Sequence, residues 1–140
     1  MPIVYRADKA LGCTIAVWDG DLTSEDMQQQ MIDLANDPEW PPGPSHLVDS
    51  TTLGTVIIPD PGLLELVYEG TNLVRQIRIA VVARPEFFDE TSTQFRIATD
   101  AFNAETFTDV ESACEYLALS TTAVESIIDQ LRQQLSEAPA

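Results

Sequence analysis

Positive charge is what this sequence has least of. One lysine and six arginines stand against 23 acidic residues, which leaves a formal net charge of −16 over 140 residues. A nucleic-acid binder needs a basic face to neutralise phosphates, so that class is excluded. Anionic membrane surfaces repel such a chain for the same reason. The acidity serves solubility, and it also suits a basic protein partner or a salty cytoplasm. Cysteine is scarce too: Cys13 and Cys114 make neither a close metal-ligand pair nor a secreted disulfide framework. Both fall on predicted core faces, where a free cysteine acts as a small hydrophobe. No run approaches the roughly 20 apolar residues of a membrane span, and no basic-then-apolar leader opens the chain. The expectation is a cytoplasmic protein that does not insert into membranes. Glycine-rich phosphate loops (GxGxxG, GxxxxGK), internal repeats and low-complexity tracts are absent from the sequence.

What is present is an ordinary globular composition, 44% hydrophobic, in a length that suits one self-sufficient core. Ile3 to Arg6 and Cys13 to Trp18 are β-rich runs with Gly12 between them, which predicts a hairpin. Asp19-Gly20-Asp21 ends it. Thr23 offers an N-cap, and Met27, Met31, Leu34 and Ala35 form a helical stripe. Asn36-Asp37-Pro38 stops that helix, because the residue before a proline is pushed out of the helical region. A turn containing Trp40 and three prolines follows. Leu47-Val48 then reads as a short strand with Asp49-Ser50-Thr51-Thr52 at its carboxyl end, where open α/β sheets usually meet their ligands. Val56-Ile57-Ile58 is either a strand extension or an apolar loop on the sheet.

Further along, Asp60 and Pro61 open a helix with Leu63, Leu64 and Val67 on one edge. Ile79 to Ala83 is a continuous apolar run expected of a central strand. Pro85-Glu86 begins a helix in which Phe88, Phe95 and Phe102 recur every seventh position, as core residues. Glu105 to Phe107 is a short strand. Thr108 or Asp109 caps a helix carrying Val110, Ala113, Cys114 and Leu117. Ser120 or Thr121 begins a last helix with Val124, Ile127, Ile128, Leu131 and Leu135 in one stripe. Strands separated by helices imply parallel crossovers and a mixed sheet.

Chemistry-bearing residues are few. His46 is the sole histidine. As a base it needs a partner in reach, but His46 and Asp49, three apart on a strand, point to opposite faces. His46 and Ser50 share a face at a separation of roughly 13 Å. A local triad is therefore excluded, and His46 reads as structural. Asp19, Asp21 and Asp26 are the only loose metal candidates, and a turn plus first-turn acid accounts for them. No catalytic residue, metal site or cofactor is expected.

The stretch from Asp37-Pro38-Glu39-Trp40 to Leu47-Val48-Asp49 resembles the STAS-like family related to bacterial anti-sigma-factor antagonists, also called SpoIIAA-like. Arg78 to Ala83, Glu105-Thr106-Phe107 and Ala113 to Leu117 continue the likeness, which spans roughly residues 3 to 119. The resemblance implies an α/β fold: a single mixed β-sheet of four to five strands with helices mainly on one face. Residues 1–119 form that domain, 120–136 an extra amphipathic C-terminal helix, and 137–140 a frayed tail. It also implies no cofactor and a bacterial regulatory or protein-interaction role. The antagonists carry a phosphorylated serine in Asp-Ser-Ser-Gly just before the second helix. Asp49-Ser50-Thr51-Thr52 is similar, but has Thr-Thr for Ser-Gly and lies several residues ahead of the helix predicted at Asp60.

Three functions follow as expectations. The first is a non-catalytic interaction module, with Asp49, Ser50 and Thr51 as the candidate interaction or phospho-acceptor site. Its candidate interface with a protein partner or a second copy is Trp40 together with Val124, Ile127, Ile128 and Leu131. The second is a carrier for a small apolar ligand or lipid beside Val56-Ile57-Ile58. The third is a phosphorylation-switched antagonist using Ser50.

Overall fold

A computed structural model describes residues 3–39, 45–56, 78–87 and 103–137. Five strands form one sheet in the order β1-β2-β3-β4-β5: β1 (Ile3–Asp8), β2 (Cys13–Leu22), β3 (Ser45–Val56), β4 (Arg78–Val82) and β5 (Asn103–Phe107). β1 and β2 pair antiparallel, and the remaining neighbours pair parallel. The described helices are α1 (Ser24–Ala35), α2 (Val110–Leu117) and α3 (Thr121–Glu137), with one 3₁₀ turn at Pro85–Phe87.

Local chemistry sets the boundaries. The β1–β2 turn closes where Gly12 takes φ +70°, a conformation that costs glycine little, and Asp8 accepts from the Leu11 amide. Thr23 caps α1 in a reciprocal capping box with Asp26, which satisfies two orphan donors at once. Asp109 caps α2 by accepting from the Ser112 amide at 2.7 Å, and that bond holds its carboxyl below the usual carboxylate range. At the far end of α2, Ala118 sits in the left-handed region at φ 56°. The Leu119 amide there reaches back to the Cys114 carbonyl, a Schellman-type end that ordinarily selects glycine. Ala118→Gly is therefore expected to stabilise the fold by roughly 1 kcal/mol, read as a higher midpoint in urea.

Two expected boundaries move. β2 does not stop at Trp18 but runs through Asp19-Gly20-Asp21 to Leu22, and β3 does not end near Asp49 but continues to Val56. Gly20 at φ +69° makes an irregularity in the pairing rather than a break, with register shifts at Val17/Asp19 and Gly20/Leu22. β4 leaves β3 at the pair Asp49↔Val82. Beyond that point, among the described residues, β2 and β3 continue together as a two-stranded parallel ribbon.

The sheet is apolar on both faces. On one, Cys13, Ile15, Val17, Leu47, Ala80 and Val82 pack under α2 and α3. On the other, Ala16, Trp18, Val48 and Val81 cluster with Ile3, Tyr5, Leu53 and Ile79. Near that face the Tyr5 hydroxyl donates to Asp37, just past α1.

In α1, Leu34 is buried, while the side chains of Met27, Met31 and Ala35 lie outside the described set. Trp40, Ile57, Ile58, the segment predicted from Asp60, and Phe88, Phe95 and Phe102 also lie outside the described residues.

Both cysteines are free and buried. Burial pushes the Cys13 thiol up to about 12 and raises that of Cys114 as well. The thiolate is the reactive form. Native protein at pH 8 is therefore expected to react with a thiol reagent at least about 100-fold more slowly than protein in guanidinium. A thiol titrating at the free rate would contradict the packing.

Candidate functional site

The polar residues Asp49, Thr51 and Thr52 stand where β4 has ended and the β2–β3 ribbon begins. Alternation along β3 turns Asp49, like Val17 opposite it, toward the helix-covered face. There it meets a cation from the far end of the chain. Arg132 of α3 donates from one terminal nitrogen to Asp49 Oδ2 at 2.7 Å and to Thr51 Oγ1 at 3.0 Å. Its other terminal nitrogen reaches Thr52 Oγ1 at 2.8 Å.

The remaining Asp49 oxygen, Oδ1, accepts from the Thr51 amide at 3.0 Å and the Thr51 hydroxyl at 2.7 Å. Asp49 is 4% exposed, and the Arg132 side chain is 29% exposed. A carboxylate this buried needs a charge partner and several donors, and it has both. Above the pair lies a hollow of about 430 Å³, open rather than enclosed, walled by Val110, Glu125, Ile128 and Asp129.

Ser50 parts from its neighbours. Its hydroxyl is buried and donates to the Val82 carbonyl at 2.7 Å, so it is spent on joining β3 to the exit of β4. Arg84, just past β4, donates to the Leu53 carbonyl at 2.8 Å and fastens the ribbon from the same side. Thus Asp49 and Thr51 come together around Arg132, and Ser50 does not join them. The stripe expected as a candidate interface is turned inward: Val124, Ile127, Ile128 and Leu131 are buried in the chain's own core. The apolar face of α3 packs on the sheet. Trp40 lies outside the described residues.

Arg132 is the residue the sequence reading missed. Its signal was weak but real. It is the one basic residue of α3, four positions after Ile128 in the apolar stripe. A cation in that place, in a chain so short of cations, is aimed at a carboxylate.

His46 lies on β3 opposite Thr14 and Ile79. Its Nε2 is shielded from solvent, and burial lowers its pKa to about 4. It is neutral at physiological pH. The unfolded ring, near its ordinary 6.5, takes up a proton before the folded ring does. The stability His46 contributes is therefore whole above pH 6.5 and is lost as pH falls toward 4, by about 3 kcal/mol in all. His46→Gln is expected to flatten stability over that window, and NMR titration of the ring should show a midpoint near 4. A midpoint near 6.5 would sink the assignment.

Among the described residues no group of three or more His, Cys, Asp or Glu side chains converges as a metal site. Asp26, one of the loose candidates, is engaged in the α1 cap. No helix among the described residues is long and apolar enough to cross a membrane.

No protein-family model matches the chain, and no curated protein matches it. Among solved structures it is similar to an uncharacterised protein of the DUF3478 family from Shewanella loihica PV-4, described as having a SpoIIAA-like fold. The TM-score is 0.56 at 19% identity, covering 82% of this chain and 93% of that one. At that identity the likeness concerns the fold alone. A hairpin leading into a parallel run of strands, closed by two C-terminal helices on one face, is thus a SpoIIAA-like fold.

Proposed function

We propose that this protein is a non-catalytic regulatory or protein-interaction module of the cytoplasm, with the end of β3 and the hollow above Arg132 as its contact surface. The observation that carries this reading is the state of Asp49. Both its oxygens are committed, one to Thr51 and the other to Arg132, so the carboxylate fastens α3 to the sheet instead of facing a substrate. A general base needs reach to a substrate proton, and this one spends its reach within the fold. The open hollow with acidic Glu125 and Asp129 at its rim suits a basic partner.

The place of Ser50 favours a constitutive surface over a phosphorylation switch. Its buried hydroxyl is bonded to a main-chain carbonyl, and a kinase would have to open the strand to reach it. An apolar ligand beside Ile57 and Ile58 draws on residues outside those described, and nothing in the described part favours it.

The test compares wild-type protein with a Glu125→Lys/Asp129→Lys variant, both rim positions being exposed. Affinity capture from lysate of the source organism should retain a stoichiometric basic protein on the wild type and lose it on the variant. Retention unaffected by the variant would overturn the surface. A hydrolytic or transfer activity abolished by Asp49→Asn would overturn the non-catalytic reading.

A further inference from the structure

The open edge of the sheet carries a second surface. β1 is the first strand in the sheet order, paired on one side with β2 and, among the described residues, with nothing on the other. Alternate residues of such a strand direct N–H and C=O groups outward. Natural edges are usually blunted by a bulge, a proline or inward-pointing charge. From Ile3 to Asp8 β1 has neither bulge nor proline, and its register with β2 is uninterrupted; its one cation, Arg6, lies on the helix-covered side, tied to Gln130 of α3.

Along the edge runs a hollow of about 340 Å³. Ile3, Val4 and Tyr5 line it from β1, four residues of α1 from one side, and Gln134 of α3 from the other. Two observations point to an occupant. Gln30, 8% exposed, lines this hollow, and its Nε2 is buried without a hydrogen-bond partner among the described residues. An unsatisfied buried donor is a standing cost, and the last torsion of a glutamine side chain turns easily. The second is charge. Asp26 and Asp33, on the α1 wall, are about 10 Å apart along the helix axis, and α1 carries no basic residue. Tyr5 reports the same field: its hydroxyl is pushed up to about 12 by burial and then by Asp37 and Asp33.

The geometry points to strand addition: an extended, basic segment of a partner protein pairs with the outer edge of β1. Its backbone meets the outer side of that strand, its lysine or arginine side chains face Asp26 and Asp33, and a carbonyl accepts from Gln30. Main-chain bonds supply affinity in this mode, and side chains at every second position supply selectivity. A second copy of this chain is the poorer occupant, because a twofold axis at β1 would bring two acidic α1 helices together at a net charge of −16 each. The inference rests on the interaction-module reading for the kind of partner, but not on the hollow above Arg132.

The probe is an acetylated peptide of about eight residues alternating lysine and valine. Its controls are the same peptide N-methylated at alternate amides and a glutamate–valine counterpart. On full-length protein, hydrogen exchange by NMR should show new protection confined to Ile3–Asp8 amides when the lysine peptide binds. Anisotropy should show affinity falling by about tenfold or more on N-methylation, and also for Gln30→Met and Asp33→Lys protein. Gln30→Met should be at least as stable as wild type, which separates lost binding from lost folding. Equal binding of the methylated peptide, protection elsewhere than β1, or no binding would overturn the proposal. So would β1 amides already protected in a sedimenting dimer. These readouts are independent of Glu125 and Asp129, so this inference and the reading of the Arg132 hollow fail separately.

Discussion

Replacing Arg132 with methionine is expected to destabilise the protein by about 2–3 kcal/mol, and Asp49→Asn by only about 1 kcal/mol. The asymmetry comes from burial. Asp49 is 4% exposed, and without Arg132 its charge stays in the protein with only Thr51 to satisfy it. Arg132 is far more exposed, and without Asp49 it turns to water while still holding Thr52. A surface ion pair would be worth less than about 1 kcal/mol and would lose both partners symmetrically. In chain length this protein falls near the range where 1 kcal/mol shifts the midpoint by several degrees, so Arg132→Met should lower Tm by roughly 10 °C.

The double variant Asp49→Asn/Arg132→Met removes both charges and keeps the acceptor for the Thr51 amide. It should be more stable than Arg132→Met alone, giving a coupling of about 1–2 kcal/mol in a double-mutant cycle. Urea denaturation of the four proteins measures all of this. Equal, small costs for the two single variants would mean that the pair is a surface contact and does not fasten α3.

That ion pair also marks the boundary of what the sequence discloses. Local chemistry was legible: the Gly12 turn, the Thr23 cap, and the apolar run that became β4 are all decided by residues within a few positions of each other. Asp49 and Arg132 are 83 positions apart, and nothing local joins them. The polar run Asp49 to Thr52 reads as the end of a strand because polar residues usually leave the sheet. Here they stay in β3, because Arg132 binds Asp49, Thr51 and Thr52, and Val82 accepts from Ser50. Gly20 misleads in the same way. It signals a turn, but its positive φ accommodates an irregularity that lets β2 accompany β3. Periodicity, finally, shows that α3 has an apolar face and is silent on what covers it.

What covers it is the sheet, and the consequence is the largest effect expected in this molecule. Leu131 is 1% exposed, and Val124, Ile127 and Ile128 are buried beside it with Ile15, Val17 and Leu47 in the same cluster. Leu131→Ala should cost about 3 kcal/mol, within the usual 2–5 for a buried leucine whose site cannot fully collapse. Leu135, only partly buried against the same cluster, should cost about 1 kcal/mol.

Ile128→Asp goes further. Ile128 borders the hollow at Arg132 but is only 5% exposed and packs in the core cluster; a carboxylate there is desolvated beside acidic Glu125 and Asp129 with Arg132 already engaged, and a cost of that order consumes most of the 5–15 kcal/mol by which domains are stable. Far-UV circular dichroism of Ile128→Asp should therefore show an unfolded chain. Had the stripe been a dimer surface, the same substitution would yield a folded, soluble monomer, and the wild-type Tm would rise with protein concentration by mass action. A folded Ile128→Asp monomer would return α3 to the role of an interface. Its unfolding, with a concentration-independent wild-type Tm, makes α3 a wall of the core and leaves partners to be sought at the β3 end and the β1 edge.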